Sequence, residues 1–198
     1  MKILHVSDVE AHGLQNEFFQ LGIEFTQLVM EKTSENPNTI LLTRKDEEPF
    51  LREYCKSIEL ELKTHSMVYP YGWRIFFIDS YLQADIVHLN ITHSYFFSLA
   101  MLPEMASSKP TVLSIHCPWF FNGGSSFDWG MRKAVFTDIN VDIIVGNGEL
   151  LKIARNSPIT AHHRVHLVMN NTENNYTSDY ANKLKDVYNS VLLRSKKT

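Results

Sequence analysis

Cysteine is nearly absent from this sequence. Cys55 and Cys117 are the only two in 198 residues, too few for a disulfide framework or a cysteine-built zinc cluster. Glycine (8) and proline (7) are also scarce, which excludes fibrous and low-complexity chains, and an apolar content of 44% excludes intrinsic disorder. No apolar run approaches the roughly 20 residues that cross a bilayer. The opening MKILHV is too short, and too soon followed by Asp8 and Glu10, for a secretory signal. Positive charge is not in excess: a net charge of −3 argues against a broad nucleic-acid surface. These absences lead to the expectation of a cytoplasmic globular protein with one main core. Without a secretory signal, the Asn-x-Thr triplets at Asn90, Asn170 and Asn175 carry no weight.

What is present is a repeating alternation of short apolar runs and helical periods, the pattern of a parallel sheet covered on both faces. Ile3–Val6, Thr39–Thr43, Asp85–Leu89, Pro110–Ile115, Asp142–Val145 and Val165–Val168 read as buried strands. Leu14, Phe18, Leu21, Phe25 and Leu28 recur in steps of three and four and predict one continuous helix. Glu47–Lys56 predicts a short helix, and the strict alternation of Ile58–Leu62 a half-exposed strand near a sheet edge. Further helices are expected over Tyr95–Met105, Met131–Thr137 and from Asn147-Gly148 to Arg155. A polar stretch over 171–177 then leads to a final helix within 178–198. Tyr180, Leu184, Val187, Tyr188 and Val191 share one face of it, with Thr177 or Ser178 as its cap. The expected fold class is α/β: a Rossmann-like domain over 1–170, a polar linker over 171–177, and a helix packing back on the domain.

Ligands of such sheets bind beyond the carboxyl ends of the strands. There the sequence places Asp8 with the loop through His12 and Gly13, then Asn90 and His93. It also places the run from His116 to Gly124, and Asn147 with Glu149. A P-loop is absent, and Gly146 and Gly148 supply only two glycines of a dinucleotide fingerprint. The backbone at Gly148 and Glu149 suits either a phosphate at a helix start or a plain cap. His116 ends an apolar strand before Cys117-Pro118 and is the candidate acid, base or hydrogen-bond donor; the other reading is a core histidine. His88, inside a strand, reads as structural. Trp119, Phe120 and Phe121 before Gly123 and Gly124 read as a mobile aromatic loop that either stacks on a ligand or plugs the core. Trp129, Arg132 and Lys133 suit a membrane-surface face. His162, His163 and His166 read as a solvated surface, so no metal site is expected.

Several segments together resemble the GT-B glycosyltransferases of the large family four. MKILHVS (1–7) resembles the family's opening strand, and ADIVHLN (84–90) with His93-Ser94 its "DIVHxH" strand and following loop. KPTVLSIHCPWFFNGG (109–124) resembles its "KPVVxTxHDxWxxxGG" segment. VDIIV (141–145), Ser157-Pro158 and HLVMN (166–170) resemble its "DxIVxxS…SP…VxVIPNG" stretch. The resemblance implies an acceptor-side domain of a retaining sugar transferase. A nucleotide sugar would serve as co-substrate, with no cofactor and no metal, and a glycan or lipid-linked sugar would be the acceptor. It implies that His116, at the matching position, contacts the donor sugar and assists catalysis. Asp8, His12 and Gly13 would lie by the donor phosphates or acceptor, with Trp119, Phe120, Gly123 and Gly124 in the neighbouring segment.

The sequence departs from the family pattern in four places. The first loop has one glycine, Cys117 replaces an acidic residue, and Asn171 stands where a Pro-Asn-Gly segment would continue. The donor-binding domain with its basic pair and Glu-x7-Glu motif is missing; Glu53 and Glu61 share that spacing by chance. Asp179–Ser190 resembles the family's closing helix. The expectation is therefore a first domain joined to a final helix, inactive alone, partnered by a donor-binding domain and in peripheral contact with the inner face of a membrane. Two alternatives stay open: a non-catalytic module of a split transferase, and a nucleotide-sugar-binding α/β enzyme such as an epimerase.

Overall fold

The structure is a computed structural model that describes residues 1–8, 10–30, 32–42, 48–64, 70–91, 97–123, 126–169 and 176–196. Seven strands, β1 (Lys2–Ser7), β2 (Glu24–Val29), β3 (Thr39–Leu41), β4 (Ile86–Ile91), β5 (Thr111–Ile115), β6 (Asp142–Val145) and β7 (Arg164–Leu167), form one sheet in the order β3-β2-β1-β4-β5-β6-β7. Every adjacent pair is parallel. The strands expected at Ile3–Val6, Ile86–Leu89, Val112–Ile115 and Ile143–Val145 all belong to it. Parallel neighbours need crossovers, most of which run through helices, and a last helix follows β7. They are α1 (His12–Gln20), α2 (Glu48–Leu62), α3 (Asp79–Gln83), α4 (Leu102–Ser108), α5 (Trp119–Asn122), α6 (Ser126–Thr137), α7 (Gly148–Asn156) and α8 (Ser178–Ser195). Among the described residues no helix is long and apolar enough to cross a membrane.

Strand alternation divides the core in two. Leu4, Val6, Val87, Leu89, Leu113 and Ile143 face a cluster closed by side chains of α4 to α7. Ile3, Phe25, Ile86, Val112 and Ile144 face the opposite way, under α1 and α8. Thr177 caps α8, its hydroxyl accepting from the Tyr180 N–H at 3.3 Å. Tyr180, Leu184, Val187, Tyr188 and Val191 are all buried, which at roughly 1.5–3 kcal/mol per large apolar side chain stabilises the docked helix by several kcal/mol. At its far end Arg194 pairs with Asp142, which also accepts from His166 Nε2 at 2.6 Å.

Four sequence expectations are corrected. The helix expected to run through Phe25 and Leu28 ends at Gln20, and those two residues lie on β2. The cause is Gly22, at φ +68°. Its N–H donates to Phe19 O and that of Ile23 to Phe18 O, a Schellman stop sealed by the buried Phe18 and Ile23. The edge strand expected over Ile58–Leu62 is the last part of α2. Its glutamates and leucines favour helix, the buried positions Cys55 and Glu59 are four apart, and a second Schellman stop forms at Lys63 (φ 52°). The helix expected over Tyr95–Met105 begins, among the described residues, as a 3-10 turn at Leu99 and becomes α4, with Pro103 in its first turn where no N–H partner is lost. Tyr95 and Phe96 lie outside the described residues, as do Thr43 and most of the linker (170–175).

The fourth correction concerns the aromatic segment, read as a mobile loop, and Arg132, read with Trp129 and Lys133 as part of a surface face. Trp119, Phe120 and Phe121 form the single turn α5, with Phe120 and Phe121 buried, so they plug the core. A four-residue helix cannot satisfy its own last carbonyls. Arg132 of α6 does so: its guanidinium donates to the Trp119, Phe120 and Gly123 carbonyls and to Asp128 Oδ2 at 2.8 Å. The Trp119 ring centroid lies 4.0 Å from the guanidinium carbon. Arg132 and Asp128 are both fully buried, so Arg132 is no part of a surface face, whereas Lys133 is exposed.

Two outcomes test this packing. Arg132→Met should cost about 3–5 kcal/mol by stranding a buried carboxylate and the α5 carbonyls, lowering Tm by roughly 10 °C in calorimetry. Asp142→Asn should destabilise the chain only above about pH 4. Burial raises the Asp142 pKa, but the bonds and charges of His166 and Arg194 outweigh it and hold the carboxyl below 3.8. Its contribution is therefore present above that value and lost as pH falls through the folded pKa, a window that urea unfolding across pH would show.

Candidate functional site

The order β3-β2-β1-β4-β5-β6-β7 reverses direction between β1 and β4, and a sheet of this kind opens a crevice there at its carboxyl edge. A cavity of about 260 Å³ occupies that place, bounded by the ends of β1, β4, β5 and β6 and by Tyr176 and Tyr180. Its floor follows from strand alternation. On the face toward α1 and α8 the strands carry Ile3, Ile86, Val112 and Ile144 low in the sheet. Two residues further along each strand come His5, His88, Ser114 and Gly146, and two beyond that Asn90 and His116. The register pairs His5 with His88, and Asn90 with Ser114. An apolar layer thus gives way to a polar one as the strands approach the crevice.

The polar layer is wired in a definite order. His88 is buried, with Nδ1 2.7 Å from Tyr188 Oη and Nε2 2.8 Å from Ser114 Oγ. His5, 3% exposed, packs edge-on to His88 with ring centroids 5.0 Å apart. Among the described residues neither ring nitrogen of His5 has a hydrogen-bond partner. His116 stands at the mouth, its Nε2 donating to Asn90 Oδ1 at 2.5 Å, which leaves Nδ1 unprotonated in the neutral ring. Burial pushes the His5 pKa down to about 4, aided by His116, and holds His88 well below 6.5. Burial also lowers His116, partly offset by the carboxylate of Asp8. All three imidazoles are therefore neutral at pH 7.

The sequence-level candidates divide. Asn90, His116 and Asn147 line the cavity, and Asp8 acts electrostatically on His116. Asn147 also caps α7, accepting from the Leu150 N–H at 2.8 Å. Glu149, in the first turn of α7, is exposed and does not line the cavity. His12 turns toward Glu10 (3.1 Å) and Thr33 (3.2 Å). Gly13 lies against Tyr176: a Cβ there would meet the ring at 3.4 Å. Trp119, Phe120 and Gly123 belong to the Arg132 cluster, and a Cβ on Gly123 would fall 2.1 Å from the Trp119 ring. His93 and Gly124 lie outside the described residues. Of the three later histidines, His163 donates to Phe136 O, His166 serves Asp142, and His162 is exposed. Among the described residues no group of three His, Cys, Asp or Glu could hold a metal.

His5, Ser114, Tyr176 and Tyr180 join the site although the sequence reading gave them no part in it. The signal available was Ile-x-His on both β1 and β4 and Val-x-Ser-x-His on β5; the strand register sets His5 beside His88 and Ser114 beside Asn90. The loop entering α1 is not arranged as a phosphate cradle. The Ala11 N–H donates to Gln27 Oε1 at 2.6 Å, and Glu10 Oε1 accepts from the Thr33 and Ser34 N–H groups. Comparison with known protein families, curated proteins and solved structures finds no match.

Stability should respond to acid through this layer. His5 and His88 stay neutral when folded but take up protons when unfolded below about pH 6.5, so stability is complete above that value and declines as pH falls toward 4. Urea titrations should show up to about 1.4 kcal/mol lost per pH unit for each histidine. His5→Phe should reduce that slope by about one proton.

Proposed function

We propose that this chain is the acceptor-side half of a sugar transferase that uses a nucleotide sugar as donor, with the switch-point crevice as the acceptor site. The observation that carries the reading is His116. It ends β5 at the crevice mouth, hydrogen-bonded to Asn90, at the position where the family-four resemblance expects a histidine beside the reacting sugar. A neutral ring with a fixed Nε2–H and an unprotonated Nδ1 can orient a hydroxyl and exchange a proton with it near neutral pH. Asn90 holds that ring in its orientation, and burial keeps it neutral against the opposing pull of the Asp8 carboxylate. Transfer then requires a donor-binding half, in the same polypeptide or another chain, to position the leaving nucleotide against the acceptor.

The epimerase alternative needs a dinucleotide at the first βα turn. Tyr176 over Gly13 and the occupied Ala11 N–H count against it. A non-catalytic sugar-binding module would use the same crevice, and turnover separates the two. A sequence with only two cysteines suits the reducing cytoplasm, which we take as the location.

The test is reconstitution. The chain alone should transfer no sugar from a panel of nucleotide sugars in a product-release assay. Fused to a donor-binding half of family four it should transfer, and His116→Ala should reduce that rate by about 100-fold or more. Robust turnover by the isolated chain, or a fused enzyme indifferent to His116→Ala, would overturn the reading.

A further inference from the structure

The cavity beneath His116 has a chemistry of its own, and His5 states it most sharply. A buried imidazole with both nitrogens unpartnered is costly, since each lost hydrogen bond leaves a desolvated donor or acceptor. An apolar residue at this position would avoid that cost, and Phe25 already packs against the ring at 5.5 Å. His88, its neighbour in register, is fully satisfied by Tyr188 and Ser114. Among the described residues lining the cavity, His5 is the one with buried polar atoms left unpartnered.

The remaining wall narrows what a partner can be. Among the described lining residues there is no Lys, Arg, Asp or Glu, so neither a phosphate nor an ammonium would find a counter-charge. Asn90, Ser114 and the histidines offer neutral donors and acceptors along one side. Tyr176 and Tyr180, with ring centroids 5.5 Å apart, and Leu14 and Val168 offer apolar surface on the other. A volume of about 260 Å³ lies just below the roughly 300–1,000 Å³ of drug-sized sites, which suits one ring and excludes a dinucleotide. A pyranose has this two-sided character, with hydroxyls around its edge and C–H groups on its face.

We infer that the cavity is a subsite for one uncharged pyranose unit and that His5 is its specificity-determining residue, exchanging a hydrogen bond with a ring hydroxyl. Resting on the sugar-transfer reading above, this makes the acceptor's terminal sugar neutral rather than phosphorylated or carboxylated. A hydroxyl both donates and accepts, so it can satisfy the neutral imidazole in either tautomer. A charged substituent in the same place would be desolvated without a counter-ion and rejected.

The experiment uses the full chain and reads imidazole ¹H–¹⁵N spectra during titration with methyl glucoside, methyl mannoside and methyl galactoside. Glucose 6-phosphate, glucuronate and inorganic phosphate serve as charged probes. At least one neutral glycoside should shift the His5 and His88 signals, while the charged probes leave them unmoved. His5→Phe should keep or raise Tm, because it removes an unsatisfied polar group, yet weaken the glycoside about tenfold. His5→Gln, which retains a donor and an acceptor, should restore most of the binding. Four results would each overturn the inference: no response to any neutral glycoside, stronger binding of a charged probe, binding unchanged in His5→Phe, or a His5→Gln variant as weak as His5→Phe. None bears on the His116 reconstitution test, so the subsite and the sugar-transfer reading can fail separately.

Discussion

The hydrogen bond from Tyr188 to His88 is the constraint around which the crevice side of the molecule is organised. It joins residues a hundred positions apart, fastening α8 to the central strand β4 where the sheet's apolar layer becomes polar. Without α8, His88 would lose its Nδ1 partner, and the cavity would have no wall carrying Tyr180. The bond is buried, so its partners stay in their neutral forms: His88 well below and Tyr188 well above their ordinary pKa values. Docking of the last helix and the charge state of the site floor are thus one physical event.

The other side of the sheet is held by a different device. Arg132 gathers the carbonyls of α5 and the carboxylate of Asp128 into a buried cluster roofed by Trp119. Such a cluster contributes less through net energy than through what its absence would leave unsatisfied. Its consequence for the site is positional. β5 ends at Ile115 and α5 begins at Trp119, so His116 is held between a central strand and a pinned helical turn. A catalytic or binding group set on rigid elements keeps its geometry better than one carried on a free loop. His116 meets that requirement although its own side chain reaches the surface.

How much of this was legible in the sequence depended on the range of the determining interaction. The central strands were visible because each is an apolar run bounded by polar residues, and α8 because its buried positions recur with helical period from Tyr180 to Val191. The division between α1 and β2 was hidden: the spacing of Leu14, Phe18, Leu21, Phe25 and Leu28 continues through Gly22, where a single backbone conformation ends the helix. Ile58–Leu62 misled in the opposite sense, since alternating glutamate and leucine satisfies both periods and helix propensity decides between them. Within the site, Asn90, His116 and Asn147 were found by their place after strands. His5 was passed over because it sits inside an apolar run, where a histidine resembles any other core residue until its neighbours are known.

By itself, then, the sequence determined the class of fold, the edge of the sheet that would carry the site, and the docked last helix, because these follow from local periodicity and from where apolar runs end. The tertiary structure decided the roles. It turned Arg132 from a surface cation into the buried tie of α5, and turned the Trp119 segment away from the crevice into the core. It brought His5 beside His88 in one row and Ser114 beside Asn90 in the next, beneath His116. The physical reason is that a side chain's chemistry depends on its solvent and its partners. Here the partners lie as far as 100 residues away along the chain, brought together by strand register and helix packing.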